Sequence, residues 1–366
     1  MERNEIMVIY GEDILAMTKK ICEEAKLAER IPAGAKIGLK PNLVVAARPE
    51  TGATTHAEIL EGCIQYLQEH GQKDITIIEG SWVGDQTSRA FKVVGYDKLS
   101  RKYNVSLFDT KYDKYERRSY GGVTMEISKT ALDLDFLISM PVLKGHCQTI
   151  VTGALKNMKG ILSDREKRHF HSMGLHKPIA YLNKIYPAHF ILGDGICGDL
   201  DFEEGGNPVQ MNRIFCGLDP VLVDTYICQT MGYEPTDIPY IRIANEIGVG
   251  SIDLKPENII ELNKDTSKVK PTSSRKVARL AKNVREKDAC SACYANLIQA
   301  CARLDDRGLL GWLNKTPICI GQGYRGESGT NPGIGNCTRA FDTHCAGCPP
   351  KTPEILAYLE EYISRG

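Results

Sequence analysis

KIGLKPNLVVAARPETGATTHAEILEGCIQYLQEHGQKDITIIEGS, residues 36–81, decides the fold class. KIGLKPNLV (36–44) reads as a strand running into a turn at Pro41. HAEILEGCIQYLQEHG (56–71) spaces its apolar residues as one face of a helix and closes on a glycine cap. DITIIEGS (74–81) reads as the next strand. Two strands joined by a helix are the unit of a parallel sheet. The alternation continues on both sides. MVIYG (7–11, with Ile6 leading in) is a strand followed by a helical pattern over 13–29. TSRAFKVVGYDKLSRKY (87–103) is helical, and VSLFDT (105–110), VTMEIS (123–128) and DFLISMP (135–141) are strands. A helical stretch over about 150–160 and PIAYLNKIY (178–186) lead to the strand HFILGDG (189–195). DPVLVDTYICQTMG (219–232) and IPYIRIANEIG (238–248) are consecutive helices, and NIIEL (258–262) is a last strand. The expected architecture is α/β, a doubly wound, mostly parallel sheet with a smaller C-terminal cysteine-rich domain.

The domain boundaries follow from composition. Residues 1–262 carry the α/β pattern. Residues 263–287 have few large apolar side chains, and 264–288 hold nine positive against three negative residues, which reads as a linker with a basic helix. Such a segment is a polar bridge or a docking surface for an acidic redox partner. Residues 288–366 hold seven of the thirteen cysteines.

Lys+Arg and Asp+Glu balance at 46 each, so no global field draws the chain to nucleic acid or to a membrane surface. No apolar run approaches a membrane span, and MERNEIMVIYGED lacks the pattern of a signal peptide. The expected location is the cytoplasm, where thiols stay reduced and cysteine clusters point to metal rather than to disulfides.

The cysteines fall in ACSACYANLIQAC (289–301) and GNCTRAFDTHCAGCPP (335–350). Cys290 and Cys293 lie one helical turn apart, and Cys345 and Cys348 repeat that spacing. Cys301 is about 16 Å further along a straight helix than Cys290, and Cys319 in PICIGQG reads as strand packing. The candidates are Cys290, Cys293, Cys337, Cys345 and Cys348. A paired C-x-x-C pattern suits zinc, whereas four thiolates closing on Cys-Pro suit an iron–sulfur cluster. The surrounding glycines let backbone N–H groups approach cluster sulfurs, which favours the second reading.

In the larger domain, residues 144–176 gather Lys144, His146, Lys156, Asn157, Lys159, Lys167, Arg168, His169, His171 and His176. VTGALKNMKG (151–160) sets small residues and two cations at an expected helix start, which suits an anion, carboxylate or phosphate. No P-loop is present, and no G-x-G-x-x-G follows the first strand. On an extended segment His169 and His171 would point the same way and, with His146 or His176, could ligate a metal or move protons, so that Lys144, His146, His169 and His171 are the candidate catalytic residues. Lys40, Asn42 and Glu79 stand at strand ends, where open α/β sheets bind ligands. His56 opens a helix after Thr54 and Thr55, one of which is the expected N-cap, and Asp194 ends a strand. The alternative for each is an ordinary structural role on a solvated basic face.

LKPNLV (39–44), GATTHAEIL (52–60), IIEGS (77–81), MPVLKGHCQTIVTGALKNMKGIL (140–162) and DREKRHFHSMGL (164–175) resemble the family called domain of unknown function 362, from about residue 36 to 250. The tail resembles that of a subgroup carrying an iron–sulfur module. The resemblance implies a [4Fe–4S] cluster on Cys290, Cys293, Cys337 and Cys348, with no counterpart for Cys345, and a setting in anaerobic metabolism. The expectation is an iron–sulfur oxidoreductase acting on a small anionic molecule. Its rivals are an electron-transfer or cofactor-assembly protein, and a non-redox hydrolase or isomerase with a structural cluster.

Overall fold

The structure is a computed structural model that describes residues 1–267 and 269–365. They divide into two compact units, residues 1–167 with 176–273, and residues 168–175 with those from 274 onward. The basic stretch 263–287 is thus shared between them, and its Lys268 lies outside the described residues.

Among the described residues the first unit carries an eight-stranded sheet. Its order is Ile259–Glu261, Ile6–Tyr10, Pro208–Gly217, Phe190–Asp199, Phe136–Met140, Ile37–Pro41, Ile75–Glu79 and Ser106–Asp109. Every pairing is parallel except the two made by Pro208–Gly217, which runs against both neighbours. Sequence patterning does not mark that strand, because Gln210, Asn212 and Arg213 interrupt its apolar run. Two expected helices are also redrawn. Residues 87–103 form Thr87–Val94 and Tyr96–Tyr103, separated by Gly95 in the left-handed region at φ 94°. The stretch 150–160 begins as a strand, Ile150–Thr152, before the short helix Ala154–Asn157.

Alternation along the strands sorts side chains to the two faces of the sheet. Ile37, Leu39, Ile75, Ile77 and Ile138 enter a core shared with Ile21 and Cys22 of helix Ile14–Glu24 and with Ile59, Cys63 and Leu67 of helix Ala57–Glu69. Lys40, between these apolar neighbours in its strand, stands in register with Ser139. That second face meets Ala154–Asn157, and helix Pro220–Thr230 packs on strands Ile6–Tyr10 and Pro208–Gly217. The N-terminal group of helix Ala57–Glu69 differs from expectation. His56 is its N-cap without a side-chain bond, while Thr55 Oγ1 accepts from the Asn42 N–H and donates to Met140 O.

The second unit carries a four-stranded sheet of Val284–Glu286, Ile318–Ile320, Gly333–Ile334 and His344–Cys345, parallel throughout. Helix Ser291–Asp306 packs on helix Thr352–Arg365. Cys319 is buried in the strand Ile318–Ile320. Two cations of the basic stretch have partners within this unit, Arg279 with Asp305 (2.9 and 2.8 Å) and Lys287 with Glu327 (2.8 Å). His169 and His171 also belong to this unit and lie in the helix Asp164–Met173. Residues two apart on a helix differ by roughly 200° in direction, so the pair does not point one way as an extended segment would. No described helix is long and apolar enough to cross a membrane.

Candidate functional site

The carboxyl ends of the parallel strands converge on a buried group of lysines, an asparagine and two carboxylates. Lys40 Nζ reaches Glu79 Oε2 at 2.5 Å, Pro41 O at 3.2 Å and Asn157 Oδ1 at 3.3 Å. Asn157 returns its amide to Lys40 O (3.2 Å) and Ser139 Oγ (2.9 Å), and the Gly80 N–H donates to Glu79 Oε1 (2.7 Å). Burial pushes the Lys40 ammonium down and the Glu79 carboxyl up, and each charge opposes the other's shift. Lys167 Nζ, also buried, donates to Gly80 O and Ser81 O at 2.9 and 3.1 Å.

A second half of the group stands around Glu203, in the loop after strand Phe190–Asp199. Its carboxylate takes the Lys156 ammonium on Oε1 and His146 Nε2 on Oε2, the latter at 3.0 Å. His146 Nδ1 accepts the backbone N–H groups of Gln148 and Thr149, both at 3.0 Å. Those two bonds fix the tautomer, so the ring proton is on Nε2 and is donated to Glu203. Burial and the Lys156 charge hold the imidazole down at a pKa of about 4. Lys144 Nζ is fully buried and donates to Ala53 O (2.5 Å), Glu203 O (2.8 Å) and Asn42 Oδ1 (3.1 Å). Burial lowers it to about 8, and burial with the neighbouring Lys156 lowers Lys159 to about 7.

Asp194 organises a third element. Its Oδ2 accepts both the backbone N–H and Nδ1 of His56 at 2.8 Å, and its Oδ1 accepts the Ile196 N–H at 3.0 Å. Burial disfavours a charged His56, but Asp194 outweighs it and raises the imidazole pKa. The anion expected at the start of Ala154–Asn157 is present within the fold. Asp224 accepts from the Ala154 N–H (2.5 Å) and the Leu155 N–H (3.3 Å).

Lys40, Asn42, Glu79, Lys144, His146, Lys156, Asn157 and Lys159 all belong to the first unit, and the bonds above gather all but Lys159 into two adjoining networks. Glu203, Ser139 and the His56–Asp194 pairing carry no sequence signal of their own. Open clefts lie at the opposite edge of the sheet, around Arg3, Asp219 and Lys255 and around Phe136, Lys184 and His189.

In the second unit, Cys290 is the N-cap of Ser291–Asp306 and Cys293 lies in its first turn. Cys337 and Cys348 come from loops laced together by the Asn336 N–H to Gly347 O (2.9 Å), the Gly347 N–H to Asn336 Oδ1 (2.8 Å) and the Gly335 N–H to Cys345 O (2.8 Å). Asn296 Nδ2 donates to Pro350 O (2.8 Å), which ties the cysteine helix to the second loop. The Cys290 thiol is pushed up by burial and by Cys337 and Cys348, and that of Cys293 to about 12 by burial, Cys290, Cys348 and Cys337. These four thiols therefore stand within electrostatic reach of one another. For the buried Cys345 the corresponding causes are burial and Glu354. Gln322 Nε2 donates to Cys290 Sγ at 3.5 Å. Among the described residues no group of three or more His, Cys, Asp or Glu forms a metal-ion site as it stands.

The family model described as domain of unknown function (DUF362) matches residues 37–229, more than half of the chain, and the chain belongs to that family. A thylakoid-associated protein of Synechocystis sp. is 25% identical over 234 residues, which is 59% of this chain and 69% of that protein. Among solved structures, the lactate racemase apoprotein of Thermoanaerobacterium thermosaccharolyticum shares 16% identity at a TM-score of 0.41, covering 63% of this chain and 58% of that one. A Thermotoga maritima protein shares 15% at 0.38, covering 65% and 60%. The chain thus spans less than two thirds of either structure.

Two outcomes test this geometry. A Cβ on Gly160 would lie 1.7 Å from Glu79 Oε1 and 2.8 Å from Lys40 Nζ. Gly160→Ala should therefore part the ion pair and lower stability by about 1–3 kcal/mol or more, read as a lower urea midpoint. The second outcome concerns pH. Folded His146 titrates near 4, whereas an unfolded histidine titrates near about 6.5. As pH falls the unfolded state takes the proton first, so this contribution is complete above about pH 6.5 and is lost towards pH 4, by about 3 kcal/mol. The stability difference between the protein and His146→Gln should narrow over that window in urea unfolding at pH 7 and 4.5.

Proposed function

We propose that the protein is a cytoplasmic iron–sulfur oxidoreductase of anaerobic metabolism. In this reading Cys290, Cys293, Cys337 and Cys348 hold a [4Fe–4S] cluster, and the first unit takes a small anionic substrate. The observation that carries it is that the three segments bearing Cys290 and Cys293, Cys337, and Cys348 are tied together by the bonds Asn336 to Gly347 and Asn296 to Pro350. The donor set fits the group, since four cysteine sulfurs are what such a cluster requires. Gln322 adds an N–H donor to one of the sulfurs. All thirteen cysteines are free thiols, as a reducing compartment favours. A cluster bound there would supply one-electron transfer.

The first unit's own residues supply binding and proton handling. Lys156 and the Nε2–H of His146 present two donors to one carboxylate-sized anion. Lys144 and Lys159, held to about 8 and about 7, can keep or release a proton on Nζ near neutrality. Asp194 holds Nδ1 of His56 and leaves Nε2 to exchange protons. Burial of Lys40, Lys144 and His146 excludes water from these groups.

Protein purified without oxygen should contain about four irons and four sulfides per chain, with a visible band that bleaches on dithionite. Cys348→Ser should lose both. A full complement of iron in that variant would overturn the ligand set, and stoichiometric zinc without sulfide would overturn the cluster.

A further inference from the structure

The Glu203 carboxylate occupies the position of a bound anion. It meets one ammonium, Lys156, and one neutral imidazole N–H, His146. We infer that this position is a binding site for small carboxylates, and that Glu203 is a built-in plug which a substrate carboxylate displaces. The inference rests on the reading of the first unit as anion-binding and names the class of anion.

Three observations separate Glu203 from an ordinary structural carboxylate. The first is its burial. Asp224 and Glu79 are 0% and 3% exposed, whereas the Glu203 side chain keeps 15% and is followed by exposed Glu204, Gly206 and Asn207. The second is how its loop is anchored. Asp199 accepts the N–H groups of Asp201, Phe202 and Asn207, all at 2.9 Å, and Lys144 Nζ holds Glu203 O at 2.8 Å. The backbone is therefore fixed independently of the carboxylate, and rotation of one side chain towards solvent empties the site. Gly205 and Gly206, at φ 78° and 122°, turn the chain away immediately after it.

The third observation is charge. Lys144, Lys156 and Lys159 all act on or around Glu203, and turning its carboxylate to solvent leaves Lys156 and His146 without their anion. An incoming carboxylate restores both donor contacts, and the released Glu203 regains its hydration. The swap is close to neutral in hydrogen bonds, and apparent affinity is reduced by the fraction of time the plug is seated. Two donors on a planar two-oxygen group suit a carboxylate better than a tetrahedral phosphate, which leaves more oxygens to satisfy.

The test is a calorimetric titration of the full chain with sodium acetate at constant ionic strength, on the protein, Glu203→Ala, Glu203→Gln and Glu204→Ala. Acetate should bind Glu203→Ala about tenfold tighter or more than the unaltered protein, with Glu203→Gln between them and Glu204→Ala unchanged. Adding Lys156→Met to Glu203→Ala should abolish the gain. Thermal melts check folding, and Glu203→Gln carries the test if the alanine variant does not fold. Equal or weaker acetate binding in folded Glu203 variants overturns the plug. Binding of inorganic phosphate without acetate overturns the carboxylate class yet leaves an anion site standing. Failure of both anions on every variant overturns the anion-binding reading as well.

Discussion

An ammonium group cannot leave water without an anion or several oxygen acceptors to replace its hydration. Lys40 and Lys144 are fully buried, and Lys156 and Lys167 nearly so. This requirement shapes the carboxyl edge of the sheet. Glu79 answers Lys40 directly, and Glu203 answers Lys156 through its side chain and Lys144 through its backbone. The close approaches leave no room for side chains between them. Gly160 passes against Glu79, and a Cβ on Gly145 would meet Leu200 O at 2.3 Å. The glycines of 145–160 are thus set by close packing, against Leu200 backbone at Gly145, Asp224 at Gly153 and Glu79 at Gly160. They do not form a phosphate loop.

Crowding the cations also spreads their proton affinities. His146 falls to about 4, Lys159 to about 7, and Lys144 and Lys167 to about 8, with burial the first cause of each. Repulsion from a neighbouring lysine adds to every one of these shifts. His56 moves the other way because Asp194 faces it from a central strand. Groups that hold and release protons over neighbouring pH ranges are therefore set side by side by the same constraint that buries them.

Much of this was legible in the sequence, for identifiable reasons. Strand-end placement marked Lys40, Asn42 and Glu79, because parallel strands interrupted by helices end on one edge. The dense Lys, His and Asn content of 144–159 marked the rest. Glu203 escaped because DFEEGGN reads as a solvated acidic turn, and its partners lie 47 and 57 residues away, at Lys156 (203 − 156) and His146 (203 − 146). The His56–Asp194 contact spans 138 residues and depends on strand order, which periodicity does not encode. His169 and His171 were misjudged because their polar run conceals a helix, Asp164–Met173, whose charged residues outnumber its apolar ones. Spacing alone left five candidate cysteines, because the placing of Cys337, Cys345 and Cys348 depends on loop bonds such as Asn336 to Gly347.

The extent of the family match bears on how these parts work. Residues 37–229 contain Lys40, Glu79, Lys144, His146, Lys156, Asp194 and Glu203, whereas Cys290, Cys293, Cys337 and Cys348 lie beyond it. The charged side chains of the shared portion are held by bonds to one another and to nearby backbone. Glu79 is held by Lys40 and the Gly80 N–H, and Lys40 also by Pro41 and Asn157. His146 is oriented by Gln148 and Thr149, and Glu203 by His146 and Lys156. Each of these bonds begins and ends within the first unit. The hydrogen bonds that hold these buried charges are therefore made among residues of the first unit.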